Sequence, residues 1–217
     1  YLTNRIVADE LFNESPEGDY HYCNVAKYHQ IENLFAKNYI KSLKLSDEIE
    51  KELVKQSLYR LVLHEVGHTL GLSHNFKGSL LLSNDELNNK NIVNQKGVCS
   101  SVMEYPAINI SETPENQGLF FDIKPGIYDI WAIQYGYSTF KNTDDEIESL
   151  SKILLRSTEK ELAFANDAYD MRYPGKGTDP NAMIYDLSSN PVEHSLDKIN
   201  KIFKIVSNLK ERYIEDN

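Results

Sequence analysis

Residues 64–74, His-Glu-Val-Gly-His-Thr-Leu-Gly-Leu-Ser-His, constrain this chain more than any other stretch. They close a run in which Ile49, Leu53, Leu61, Val62 and Leu70 recur at helical spacing. Ser46 stands before that run as an N-cap, with Asp47 and Glu48 in the first turn. Gly71 stands just after it, where a left-handed residue commonly ends a helix. The pattern predicts one long helix, a sharp bend, and a segment that turns back. His64 and His68 are four apart, so they project from one face, one turn apart. Gly71 lets the chain leave the helix abruptly, which brings His74 back towards the same point from a non-helical segment.

Two imidazoles one turn apart reach one metal ion at about 2.0–2.1 Å each, and a third completes a set of neutral nitrogen ligands. His64, His68 and His74 are therefore candidate ligands of Zn2+. Three protein ligands leave a fourth position open, as in catalytic and not structural zinc sites. Glu65 is rotated about 100° from His64 around the helix and lies beside the pair. There it is placed to act on a zinc-bound water, first as general base and then as acid towards a leaving amine. Zinc so held polarises a peptide carbonyl and stabilises the oxyanion. A chance match to the five fixed positions, in a chain this size, is on the order of one in 10⁵. Farther on, residues 101–105 read Ser-Val-Met-Glu-Tyr. Met103 in a tight turn beneath the metal would give the histidines an apolar floor. The Tyr105 phenol is a candidate donor to the water or the oxyanion.

The other chemistry-bearing residues carry less. His21, His29 and His194 lack ligand-like spacing. Asp129 is placed either to hydrogen-bond the turn carrying Met103 or to face solvent, and Asp167, Asp170, Asp179 and Asp186 read as solvated charge. Cys23 and Cys99 allow one bridge or two free thiols, and two cysteines far apart do not decide between them. The formal net charge of −10 argues against nucleic acid as a partner, which would need clustered Lys and Arg. No apolar run reaches the roughly 18 residues of a transmembrane helix. Around the motif, helical spacing marks 25–43, and short helices are expected at 127–135, closed by Gly136, and at 144–156. Residues 3–8 read as a strand, 75–100 as loop with irregular helix, 170–195 as an extended wrap and 196–214 as an amphipathic helix.

His64, Glu65, His68, Gly71, His74 and Met103 together resemble the signature of the metzincin clan of zinc metallopeptidases. His-Asn-Phe-Lys-Gly-Ser at 74–79, Ser-Val-Met-Glu-Tyr at 101–105 and Tyr-Asp-Ile-Trp-Ala-Ile at 128–133 look like large exported zinc-dependent metalloproteases common in Bacteroidetes. The resemblance implies a metalloendopeptidase acting on polypeptides, with export to the periplasm or cell envelope. It also implies an α+β fold: a metzincin-like catalytic domain over 1–140, truncated at its N-terminal sheet, with a helical and extended subdomain over 141–217 packed on it. The missing early strands would then belong to an upstream part of the same precursor, a partner for this piece. The alternative reading keeps the same ligands in a catalytically silent zinc-holding module for binding or adhesion.

Overall fold

A computed structural model describes residue 23 and residues 25–111, 113–171 and 176–215, with side chains in the last helix as far as 209. Seven α-helices order the described residues: α1 Val25–Ser42, α2 Asp47–Thr69, α3 Asn84–Leu87, α4 Lys90–Lys96, α5 Ile127–Tyr137, α6 Thr143–Leu154 and α7 Pro191–Glu215. Three 3-10 turns, Gly78–Leu81, Pro114–Asn116 and Lys160–Leu162, lie between them.

The expected α+β class is wrong for the described residues, which are helical and contain no strand. The strand expected at 3–8 lies outside them. The buried stretch 104–111 is non-helical, yet it never enters a ladder. Its N–H groups find partners one at a time: Ala107 donates to Asp186 O, Ile108 to the Glu32 carboxylate, Asn109 to Phe120 O and Ser111 to the Gln117 amide. Regular pairing along one neighbouring chain is what makes a sheet, and here residues 185–186 give the stretch only two bonds, Tyr185 N–H to Tyr105 O and Ala107 N–H to Asp186 O.

Helix α2 begins after Ser46, in extended conformation at φ −71° and ψ 154°. It ends in a Schellman motif: Leu72 N–H donates to Gly67 O and Gly71 N–H to His68 O, both at 3.0 Å, with Gly71 at φ +85°. Helix α5 runs through Gly136 to Tyr137 and does not stop there. Helix α7 starts at Pro191, earlier than its apolar pattern suggests. Asn190 precedes it and accepts from Glu193 N–H, and proline suits a first helical position.

Helix α1 packs between α2 and α7. Ala36, Tyr39 and Ile40 of α1 and Leu53 of α2 form a core with Ile108, Ile110, Phe120 and Phe121. Glu32, 2% exposed, ties three elements together: it accepts from Ile108 N–H and pairs with Lys198 of α7 at 2.5 Å. Among the described residues, no helix is long and apolar enough to cross a membrane.

Candidate metal centre

One face of α2 carries Arg60, His64, Gly67 and His68, the spacing that stacks residues along a single helical stripe. Arg60 and His64 are fully buried. This stripe packs on the turn at 100–105. Arg60 donates to Val102 O and, at 2.7 Å, to Glu104 O. Asp129 of α5 holds the same turn from the other side, accepting from Ser101 Oγ at 2.7 Å and Val102 N–H at 2.8 Å. It also accepts from Gly126 N–H at 2.7 Å, which fastens its own helix start. Asn75 N–H donates to Met103 O from the loop after His74.

Met103 is fully buried directly under α2. A Cβ added at Gly67 would lie 2.3 Å from Met103 Sδ, so the glycine between the two helical histidines is what lets the turn come this close. Gly126 is required for a similar reason, since its Cβ would stand 2.0 Å from Ser100 O.

Each of the three histidines is oriented through Nδ1. His64 Nδ1 lies 2.7 Å from Val102 O, and His68 Nδ1 lies 3.0 Å from Leu72 O, a carbonyl of the Schellman turn. His74 Nδ1 is 2.9 Å from both carboxylate oxygens of Asp167. A carbonyl or carboxylate oxygen only accepts, so Nδ1 carries a proton, and in the neutral ring the lone pair falls on Nε2. Nε2 of His64 and of His68 are buried and have no hydrogen-bond partner. His74 Nε2 meets Tyr105 Oη at 3.0 Å, and Cys23 Sγ lies 3.2 Å from the same phenol.

One ligand atom each from Cys23, His64, His68 and His74 lies within 4.8 Å of every other. Tetrahedral donors at 2.0–2.3 Å from zinc stand roughly 3.3–3.7 Å apart, so a contraction of about 1 Å suffices. Buried, unpartnered imidazole nitrogens facing one another are costly unless something binds them. The donor set, nitrogen with one sulfur, is of the kind zinc takes.

The electrostatics favour neutral imidazole at His64. Burial first, and then the Arg60 guanidinium, lower its pKa to about 2. At His74 burial also works to lower the pKa, but the Asp167 carboxylate and the Cys23 thiol outweigh it and raise the value to about 9. Asp129 is pushed up by burial, against the hydrogen bonds it accepts.

The structure brings His64, His68, His74 and Tyr105 together and places Met103 beneath them. Glu65 is solvent-exposed beside His64. Cys23, Arg60, Gly67 and Asp167 belong to the same assembly and were not anticipated from sequence. His29 and His194 are buried away from it, and His21 lies outside the described residues. Asp170 and Asp186 are buried, contrary to the solvated reading, and burial raises the Asp186 pKa to about 7. Cys23 and Cys99 are both free thiols.

The model of the family described as Met-zincin matches residues 46–217. The chain belongs to the Met-zincin family. This is a metzincin-type family, which suggests a zinc metallopeptidase. The matched stretch holds all three histidines, the turn at 100–105 and Asp167, while Cys23 precedes it. No curated protein and no solved structure matches the chain.

Proposed function

We propose that this Met-zincin is an endopeptidase in which His64, His68 and His74 hold zinc, Glu65 is the general base, and polypeptides are the substrate. The observation that carries this reading is the set of three Nδ1 anchors, which turn two unpartnered Nε2 atoms and that of His74 towards one point. Bound there, zinc supplies a Lewis acid that polarises the scissile carbonyl and acidifies water. Glu65 takes the proton from the attacking water and returns it to the leaving amine. Tyr105, held at the site edge beside His74, donates its phenolic O–H to the oxyanion that develops on the carbonyl. Asp167, Val102 O and Leu72 O keep the imidazoles in one tautomer throughout.

Glu65→Gln is expected to keep zinc at one ion per chain and to lose cleavage of an unfolded protein by about 10²–10⁴-fold. Retention of cleavage by that variant would remove Glu65 from the chemistry. A second reading, a silent zinc-holding module, is favoured by one observation: Cys23 Sγ lies among the donors, and four protein ligands are the mark of a structural site. Digestion of an unfolded protein by the wild type, with a chelator control, separates the two.

A further inference from the structure

The segment 185–188 is stitched to two others. Tyr185 N–H donates to Tyr105 O at 2.9 Å, Ala107 N–H to Asp186 O at 3.0 Å and Ser188 N–H to Ser79 O at 3.0 Å. Tyr185 and Ser188 hold φ of +63° and +82°, left-handed values that residues with a side chain rarely take. The carboxylate between them, Asp186, is thereby turned inward. It meets Glu104, which follows Met103, and Ser79, from the 3-10 turn Gly78–Leu81. Ser79 and Glu104 are fully buried and Asp186 is 5% exposed. Glu104 accepts from Ser79 N–H at 3.1 Å and from Tyr105 N–H at 2.8 Å, one bond on each oxygen. The Ser79 hydroxyl lies close enough to Asp186 to lower its pKa, yet makes no hydrogen bond with it. Among the described residues, both Asp186 carboxylate oxygens and Ser79 Oγ are buried without a partner.

Two carboxylates enclosed together are poorly solvated and repel each other. Burial first, and then the Asp186 charge, raise the Glu104 pKa well above the usual carboxylate range. Arg60 is the cation that acts on Glu104, but its N–H groups are directed at the carbonyls of Val102 and Glu104. A shared proton would join one oxygen of each carboxylate and leave the other Asp186 oxygen and Ser79 Oγ unmet. A cation that takes only oxygen ligands meets all of them at once. We propose that Ser79, Glu104 and Asp186 bind one calcium ion, which ties the segment 185–188 to the turn carrying Met103 and Tyr105. Calcium accepts carboxylates and neutral oxygens at about 2.3–2.6 Å in flexible geometry, with carbonyls and water completing a shell of about six to eight. Magnesium suits the site less, because it demands a near-ideal octahedron and usually keeps several waters. The site shares no residue with the three histidines, and the proposal stands whether or not they hold zinc.

The test uses the full chain, equilibrated with one equivalent of zinc and exchanged into calcium-free buffer. Calorimetric titration with calcium chloride should show one ion per chain, with a dissociation constant of about 10⁻³ M or tighter. Calcium at about a hundred times that constant should favour the folded form by about a hundred-fold, read as a rise in the urea midpoint. Magnesium at the same concentration should give a clearly smaller rise. Asp186→Asn and Glu104→Gln, which keep the side-chain size, should abolish both the titration and the rise. Without calcium, Asp186→Asn should be at least as stable as the wild type, because it removes one of two repelling charges, so its loss of binding is not a loss of fold. His68→Ala should bind calcium as the wild type does, which separates this site from the histidine centre. A wild type that gives neither heat nor a midpoint shift overturns the proposal, as does binding that survives both carboxylate variants or an equal response to magnesium. Indifference to calcium, with stability that falls as pH rises from 3.8 towards about 7, overturns it in favour of a shared proton.

Discussion

Replacing Asp129 tests whether the turn beneath the metal centre is held from α5. The carboxylate accepts from Ser101 Oγ, Val102 N–H and Gly126 N–H at 2.7, 2.8 and 2.7 Å, and the residue is 2% exposed. Asp129→Ala leaves two buried backbone donors and a hydroxyl without partners, at about 1–3 kcal/mol each. Relief of a buried charge, whose cost is seen in the raised pKa, offsets part of that. The expected net loss is about 3–4 kcal/mol, a large share of the 5–15 kcal/mol typical of folded domains. Asp129→Asn keeps one oxygen facing Val102 and Gly126 and should lose only about 1 kcal/mol. Urea unfolding of metal-free protein measures both as shifts in midpoint at constant slope. Zinc affinity should fall in the same order, because Val102 O orients His64. An alanine variant within about 0.5 kcal/mol of wild type, or an asparagine variant as unstable as the alanine one, would refute the reasoning.

Gly67→Ala gains about 1 kcal/mol of helix propensity but sets a Cβ 2.3 Å from a fully buried sulfur, an overpacking cost of about 1–3 kcal/mol. It should be neutral to destabilising alone and clearly stabilising in a Met103→Ala background, a coupling that a double-mutant cycle by urea unfolding will read. His29 is lowered to about 3 by burial, with Arg60 adding to the effect, so the unfolded chain binds a proton there that the folded one refuses. Its contribution is complete above pH 6.5 and is lost as pH falls towards 3, by roughly 4–5 kcal/mol in all. Asp122, raised to about 6 by burial, has the opposite slope, since its contribution is lost as pH rises from 3.8 to 6. The comparison that isolates His29 is therefore wild type against His29→Phe, which keeps the stacking on Phe121 and should show a flatter loss of stability on acidification.

What could be read in the sequence was what is local. Helix α2 was legible at both ends: Ser46 takes the extended N-cap position, although its side chain makes no cap hydrogen bond, and Gly71 turns the chain out at φ +85°. The three histidines and Met103 were legible because fixed offsets on a helix and a turn fix direction. Asp167 and Cys23 were not, since Asp167 meets His74 across 93 residues and Cys23 meets Tyr105 across 82. Arg60 was hidden for another reason: its partners are backbone carbonyls, which carry no residue identity. Gly67 carries no signal of its own in the sequence, and only the approach of Met103 shows what a side chain there would strike. The strand-bearing fold came from the family resemblance and from residues 3–8, which lie outside the described residues, while the described residues form helices and turns without a strand.

With no strand among the described residues to fix it, the turn at 100–105 depends on polar anchors from separate elements: Arg60 on α2, Asp129 on α5 and Asn75 after the glycine bend. A buried guanidinium is costly unless it is met by acceptors, and here Val102 O and Glu104 O meet it. Val102 O is at the same time the acceptor for His64 Nδ1. One carbonyl thus joins the cation that holds the turn to the imidazole that faces the metal. The charge also acts through space, adding to burial in holding His64 neutral far below any working pH. A neutral imidazole with its proton pinned on Nδ1 keeps its lone pair on Nε2, which is the property a zinc ligand needs. The contacts that locate the turn are therefore the ones that prepare the ligand, and the structure offers no way to loosen the first without impairing the second.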